Sequence, residues 1–293
     1  MAVIEKMDGF YRTKPARWRK VPRVNMYAAE VFLRAREKYC VSASARFLKM
    51  KESRDHVWHL SDTGGGISSI LLHSRQSLFP VFDKKKRIPN PRFLNRFLGK
   101  VPIHALQGLL EDAELLETLM EGQGYYSTER IDYALMSLDV EPKPESFRAG
   151  PVGLVLRLPL PGDEDDLFEL QSAYEQEEVL PKKAVFNPAA CRLNLKQILS
   201  SEQILVAELD GQVVGKINTS AESFTRYQIG GVYVRPDCRG RGIAEKMTVF
   251  FVRNLLTQGK GVTLFVKKRN KAALRVYSKA GFSILADYRI SYY

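Results

Sequence analysis

The chain is 293 residues long, with 45% hydrophobic and 27% charged residues, which predicts a soluble globular protein of one large or two medium-sized domains. No apolar run reaches the roughly 18 residues that a membrane span needs, and the first residues lack the apolar core of a secretory signal. We therefore expect a cytoplasmic protein without a membrane segment. The three cysteines are scattered and odd in number, so they predict no disulfide framework.

The net charge of +12 makes nucleic-acid binding one alternative. The excess is +7 in residues 1–150 and +5 in residues 151–293, whereas nucleic-acid binders more often concentrate it on one tail or helix. The strongest local excess, YRTKPARWRK at residues 11–20, is explained by a solvated basic arm. The distribution argues against a nucleic-acid partner and leaves that reading as the alternative.

The first half shows an α/β pattern. Apolar residues at helical spacing predict a helix over residues 24–39, and later runs predict strands and a second helix. A stretch rich in Pro and charge, residues 138–151, predicts a linker. We place the domain boundary there, with a first domain at residues 1–148 and a second at 149–293. The expected strands are at 56–61, 67–72, 78–82, 101–108 and 131–140, and the second helix is at 109–122.

The second half follows the order β-α-(α)-β-β-β-α-β-α-β. Its strongest local signal is Asp210-Gly211 between two β-rich runs, which is typical of a type I′ hairpin turn. Apolar residues recur at helical spacing along residues 243–255 and predict a helix with one apolar face. Another helix is predicted to begin at Asn270 as N-cap and to end at Gly281.

The segment RPDCRGRGIAEKM, residues 235–247, joins a predicted strand to the first of these helices. Backbone N–H groups at a helix start have no intrahelical partner and, with the helix dipole, form an anion site suited to a pyrophosphate. Gly240 and Gly242 let the backbone approach a ligand, and Arg239 and Arg241 add charge. An Arg-Gly segment that binds RNA is instead repetitive and disordered. The context therefore favours a small-anion site.

At this segment the chain resembles the GCN5-related N-acetyltransferases, the GNAT family. The family pattern Gln/Arg-x-x-Gly-x-Gly/Ala matches Arg239, Gly242 and Ala244. Its second block, Asn-x-x-Ala-x-x-x-Tyr-x-x-x-Gly-Phe, matches residues 270–282. The resemblance covers about residues 150–293. It implies an acyl-CoA N-acyltransferase fold with a mixed α/β sheet, and transfer of the acetyl group of acetyl-CoA to a primary amine by direct attack, without a metal.

The resemblance also implies residue roles. Tyr277 matches the tyrosine that protonates the departing CoA thiolate, although a core aromatic is the structural alternative. Glu178, in the run YEQEEVLP, is the candidate base, and a solvated charge run explains it equally well. Asn270 would touch the cofactor arm or serve only as an N-cap. The implied cofactor-binding residues are Val232, Tyr233, Val234, Arg239, Gly240, Arg241, Gly242, Ile243, Ala244 and Asn270.

The first half repeats a similar order of predicted elements, which implies a tandem protein whose smaller N-terminal α/β lobe is GNAT-like and degenerate. Residues 105–116, ALQGLLEDAELL, would stand where the anion loop belongs. They have one glycine, no arginine and an acidic helix start, so this lobe is expected to hold no cofactor. A second resemblance, to bacterial acetyltransferases with such an N-terminal lobe and a Glu-Glu-Val segment in the catalytic half, supports Glu178 as the base.

The remaining motifs predict no separate chemistry. The glycines of residues 62–68, DTGGGIS, lead into a strand and predict a hairpin turn, and residues 83–92, DKKKRIPNPR, predict a solvated loop. His56 and His59 lack partners at ligand spacing, so we predict no metal site. The acceptor, a small-molecule or peptide amine, and the oligomeric state stay open. A CoA-binding regulator without turnover is a further alternative.

Overall fold

The computed structural model describes residues 18–21, 26–52, 55–61, 66–83, 91–141 and 150–293. Most of the predicted basic arm, the glycine turn at 62–65 and most of the predicted linker lie outside these residues. The strands are β1 (Arg19–Lys20), β2 (His56–Ser61), β3 (Ile67–Ser74), β4 (Ser77–Phe82), β5 (Ala105–Leu109), β6 (Glu129–Leu138), β7 (Leu154–Arg157), β8 (Ile204–Leu209), β9 (Gln212–Glu222), β10 (Arg226–Val234), β11 (Gly261–Lys267) and β12 (Ser283–Tyr292).

Other connections between the strands contain helices. The helices are α1 (Met26–Arg34), α2 (Val41–Leu48), α3 (Pro91–Leu98), α4 (Leu110–Glu121), α5 (Glu164–Tyr174), α6 (Pro188–Ser201), α7 (Ile243–Leu256) and α8 (Lys271–Lys279). Short 3-10 turns occur at Glu37–Tyr39, Lys49–Glu52 and Pro236–Cys238, and a π-helical turn at Glu175–Val179. Within the described part of the chain, no helix combines the length and the apolar character needed to cross a membrane.

The chain divides into two compact units that alternate along the sequence. The first comprises Met1–Ala35, Lys49–Arg130 and Arg289–Tyr293, and the second comprises Arg36–Leu48 and Ile131–Tyr288. Most of β6 therefore belongs to the second unit, although it precedes the predicted linker. The boundary between residues 148 and 149 stays a prediction.

In the first unit the strand order is β1-β2-β3-β4-β5, with β4 and β5 parallel and the other neighbours antiparallel. The chain crosses from β4 to β5 through α3, and α4 follows β5. Leu60, Leu78, Leu106 and Leu116 are buried in the core of this unit.

The same order of elements recurs in the second unit, where β10 and β11 are parallel, α7 lies between them in sequence and α8 follows β11. By this topology, residues 105–116 correspond to β11 and α8. Their placement at the anion-loop position was therefore wrong. The corresponding connection is residues 83–90, of which 84–90 lie outside the described residues. A degenerate GNAT-like first lobe stays a prediction.

The second unit is built on strands in the order β12-β6-β11-β10-β9-β8-β7. Helices α7 and α8 share a core with this sheet that includes Met247, Phe251 and Tyr277. Helices α5 and α6 share a second core with it, which includes Leu167 and Leu195. The mixed sheet with helices confirms the predicted α/β fold class.

Local signals fixed several elements of this unit. Asp210 and Gly211 have φ of 51° and 78°, as the type I′ turn between β8 and β9 requires. Asn270 is the N-cap of α8, and its Oδ1 accepts a hydrogen bond from the Ala273 N–H at 3.0 Å. Gly281, just after α8, has φ of 94°, which suits a residue without a Cβ.

An early segment completes the second unit. Glu37 is buried, and its carboxylate accepts hydrogen bonds from the hydroxyl of Ser223, the N–H of Thr225 at 2.7 Å and the hydroxyl of Thr225 at 2.5 Å. These contacts anchor Arg36–Leu48 to the turn between β9 and β10. The segment lies within the predicted first domain, yet it belongs to the second compact unit.

Candidate active site

One wall of a cavity is formed by the end of β10, where this strand extends beyond its pairing with the parallel strand β11. Strands β10 and β11 pair from Arg226–Gly261 to Ile229–Leu264, and β10 continues beyond that ladder to Val234. Val232, Tyr233 and Val234, at the end of β10, line a cavity of about 510 Å³.

The loop before α7 forms the next wall. Gly240 and Gly242 have φ of 77° and 83°, a region that L-residues with a Cβ rarely adopt. Gly242 is the N-cap of α7 and provides no side-chain cap, so the N–H groups of the first turn face the loop. A Cβ on Gly240 would meet no atom within 4 Å, which leaves space for a ligand beside the backbone. This loop is the one for which the sequence predicts an anion site, and that assignment stays a prediction.

Arg239 is held at the junction of strand and loop. Its Nε donates to the Val234 carbonyl at 2.9 Å, and its NH2 group lies 2.9 Å from the Glu177 carboxylate. The Tyr233 hydroxyl donates to the same carboxylate at 2.6 Å. Burial alone would raise the pKa of Glu177, but the hydrogen bonds from Tyr233 and Arg239 outweigh it and lower that pKa. Burial, followed by the bond to Glu177, raises the pKa of Tyr233 to about 12.

Tyr277, on α8, lines the same cavity while its ring packs against the core. The side chain is buried and meets Phe282 edge-on at 6.1 Å between ring centroids. Burial raises the pKa of its hydroxyl, and nearby Tyr174 and Glu178 raise it further. The phenol is therefore protonated at neutral pH.

Glu178 and Asn270 also line the cavity, and they contact each other. The Nδ2 of Asn270 donates to Glu178 at 3.1 Å, while Lys267 lies 3.2 Å from the other carboxylate oxygen. Asn270 thus serves as the N-cap of α8 and as a partner of the candidate base. Both oxygens of Glu178 have partners.

Most of the predicted site residues meet at this cavity. Arg241 is the exception, since its side chain is exposed and does not line it. Two basic residues of α8 that the sequence analysis did not select, Arg275 and Lys279, add positive charge there. The lining residues are Glu177, Glu178, Val232, Tyr233, Val234, Cys238, Arg239, Gly240, Gly242, Ile243, Ala244, Glu245, Asn270, Ala272, Ala273, Arg275, Val276, Tyr277 and Lys279.

The sequence analysis also missed a buried lysine beside this site. Lys216, on β9, has no exposed surface, and its Nζ donates to the Gly231 carbonyl at 3.1 Å. An isolated lysine in a strand resembles any surface lysine, so the sequence contains no signal for it. Over the described residues, no group of three or more His, Cys, Asp or Glu side chains is arranged to hold a metal ion.

Comparison with known proteins finds a family match over the part of the chain that contains this cavity. Residues 165–282 match the Acetyltransferase (GNAT) family. The chain is 24% identical over 167 residues to a mycothiol acetyltransferase of Cellulomonas flavigena, which covers 50% of this chain and 46% of the relative. It is 38% identical over 81 residues to the mycothiol acetyltransferase of Streptomyces coelicolor, which covers 26% of each chain. The chain thus spans less than half the length of these curated relatives.

Solved structures match over nearly the whole chain. A GCN5-related N-acetyltransferase of Sphaerobacter thermophilus aligns with a TM-score of 0.60 at 20% identity, covering 95% of this chain and 96% of the other. A tandem GNAT protein from the clavulanic acid biosynthesis pathway aligns with a TM-score of 0.58 at 12% identity, covering 94% and 98%. At these identities the likeness establishes the fold.

Proposed function

Since residues 165–282 belong to the GNAT family of acetyltransferases, we propose that this chain transfers the acetyl group of acetyl-CoA to a primary amine by direct attack in a ternary complex. One observation carries the proposal. The end of β10, the glycine loop before α7 and Tyr277 line a single cavity. A strand edge, an anion cradle and a proton donor would bind the CoA thioester and assist departure of its sulfur.

The residues present fit the cofactor. The N–H groups of the first turn of α7 would hold the pyrophosphate, with Arg239 at its edge. One carboxylate, Glu245, lies in this turn and would repel an anion. Its charge is offset by Lys279 at 3.6 Å, and Arg275 lines the same cavity. The charged side chains that line the cavity balance, with Arg239, Arg275 and Lys279 opposite three glutamates, so the backbone N–H groups of α7 would provide most of the attraction for an anion.

Acetyl-CoA supplies the thioester from which the acetyl group is transferred. The backbone groups of residues 232–234 would pair with its pantetheine arm as an added strand would. Their N–H groups would stabilise the negative charge that develops on the thioester oxygen. Tyr277, whose pKa is raised by burial, holds its proton at neutral pH and donates it to the departing sulfur.

The attacking amine must lose a proton, and we assign this role to Glu178. It lines the cavity, and its side chain is 30% exposed, so an amine or a bridging water has access to it. Lys267 and Asn270 orient the carboxylate, and an amine would displace one of them as it approaches. Glu177 is less suited, because Tyr233 and Arg239 already lower its pKa.

Ligand-dependent thermal unfolding tests the cofactor site. Saturating acetyl-CoA should raise the melting temperature of the intact chain, and Arg239→Glu should abolish the rise. Arg235→Glu is the matched control, because Arg235 bonds Asp237 at 2.7 Å and does not line the cavity. The absence of a shift in the wild type would rule the proposal out.

A panel of amine acceptors then tests acetyl transfer, and the measured signal is the release of free CoA thiol. Mycothiol-related compounds belong in the panel, because the curated relatives are named for mycothiol. A melting shift without thiol release would indicate a CoA-binding regulator. Salt-sensitive retention on DNA or RNA that survives deletion of residues 1–23 and requires Arg239 and Arg241 would favour nucleic-acid binding.

A further inference from the structure

Strand β10 contains a β-bulge beside the cavity. Gly230 pairs with Asn218 and Tyr233 pairs with Lys216, so Gly231 and Val232 both lie opposite Ile217. Gly231 has φ of 59°. A Cβ there would come within 2.0 Å of the Asn218 Oδ1 and 2.7 Å of the Lys216 Nζ, so glycine is required.

Lys216 holds this bulge from the interior. Its Nζ donates to the Gly231 carbonyl at 3.1 Å and to the Asn218 Oδ1 at 3.0 Å, and it lies 5.2 Å from the centroid of the Tyr174 ring. A fully buried amine is costly compared with an apolar residue of the same length. The two hydrogen bonds that compensate for this burial both lie at the bulge, next to the cavity.

The geometry of the peptide links Lys216 to the site. In a trans peptide the C=O and the following N–H point in opposite directions, so fixing the Gly231 carbonyl also fixes the direction of the Val232 N–H. Val232 lines the cavity and is the first residue after the bulge on the proposed cofactor strand.

We propose that Lys216 is a positioning residue for acetyl transfer, one that fixes the 231–232 peptide so that the Val232 N–H is directed to the thioester oxygen. This inference rests on the proposed function. Lys216 acts through the backbone and does not touch the reacting atoms.

The test compares Lys216→Met, Lys216→Gln and a control, Thr219→Val, in the full-length chain. Thr219 is also buried on β9, and the substitution removes its side-chain bonds to Glu202 and to the N–H of Gln203, neither of which belongs to the bulge. Lys216→Met should lower kcat about 10- to 100-fold with the KM for acetyl-CoA changed less than about threefold, since a misdirected donor acts on the transition state. Lys216→Gln, which retains a donor, should lie between Lys216→Met and the wild type.

A kcat loss no larger than that of Thr219→Val, or a rise in KM at constant kcat, would overturn the assignment. Should Lys216→Met fail to fold, Lys216→Gln against Thr219→Val decides the question. If the wild type binds acetyl-CoA without turnover, the proposed function fails. The role of Lys216 is then decided by the NMR resonance of the Val232 amide. Its shift on acetyl-CoA binding should shrink in the Lys216 variants alone; equal shifts in all variants would contradict the inference.

Discussion

Arg239 and Glu177 form an ion pair of 2.9 Å that spans the strand end and the turn after α5. Together with the bond from the Arg239 Nε to the Val234 carbonyl, this pair fixes the guanidinium at the mouth of the glycine loop. We expect Arg239→Ala to weaken acetyl-CoA binding about tenfold, the usual value of a charge-assisted contact. Isothermal titration measures the effect. Arg235→Ala should leave the affinity nearly unchanged, and equal losses in both variants would contradict a specific role for Arg239.

Tyr277→Phe should separate catalysis from binding. Loss of the proton donor is expected to lower kcat by about 10²- to 10⁴-fold, while the affinity for acetyl-CoA changes little. Tyr288→Phe is the control, since Tyr288 is also buried, stacks on Phe265 at 4.1 Å and does not line the cavity. A Tyr277→Phe enzyme with wild-type kcat would make Tyr277 a core residue only.

Lys216 should make stability depend on pH. Burial, opposed by Glu175 and Cys191, lowers its pKa from 10.5 to about 7 in the folded chain. Between these values the unfolded chain binds a proton that the folded chain has lost, so stability rises with pH relative to Lys216→Met, by at most about 1.4 kcal/mol per pH unit. Below about pH 7 the difference should be flat. Urea unfolding of both proteins at about pH 6, 7.5 and 9 measures it, and a constant difference would show that Lys216 has an ordinary pKa.

Glu37→Ala should destabilise the second unit. It removes a buried acceptor shared by Ser223 and Thr225, at an expected cost of about 2–4 kcal/mol. Glu30→Ala, which removes an exposed ion pair with Arg34 in α1, should cost less than about 0.5 kcal/mol. Urea unfolding compares the two, and similar small losses would mean that the early segment contributes little.

A fragment of residues 149–293 should not fold stably on its own. It lacks Glu37 and also β6, whose residues Tyr133–Leu138 pair with β11. Loss of this strand exposes an unpaired sheet edge next to the core. Circular dichroism and unfolding of the fragment test the expectation. A cooperative transition at the stability of the full chain would support residue 149 as a domain start.

The sequence predicted what depends on local chemistry. Asp210-Gly211 dictated a hairpin turn because both residues tolerate positive φ, and the Arg239–Gly242 loop was recognisable because a strand precedes it and an apolar helix face follows it. The π-helical turn that presents Glu177 and Glu178 follows directly after α5 and was not predicted.

Contacts between residues far apart in the sequence have no local signal. Glu37 accepts a hydrogen bond from Ser223, which lies 186 positions later in the sequence, and no pattern around Glu37 indicates a buried acceptor. Lys216 follows Gly215 in β9. Both faces of this strand are buried over most of its length, and the pattern of polar and apolar residues does not reveal this. Tertiary packing decides both cases, as it decides that β6 pairs with β11 in the second unit.

Acetyl transfer is tested most directly by the mass of the acceptor. The full-length chain is incubated with acetyl-CoA and the amine panel, with Tyr277→Phe in parallel. We predict that at least one amine gains the mass of one acetyl group in step with CoA release, and that Tyr277→Phe slows this gain by at least about 10²-fold. CoA release without an acetylated amine would contradict acetyl transfer to an amine, and equal rates in the two proteins would contradict proton donation by Tyr277.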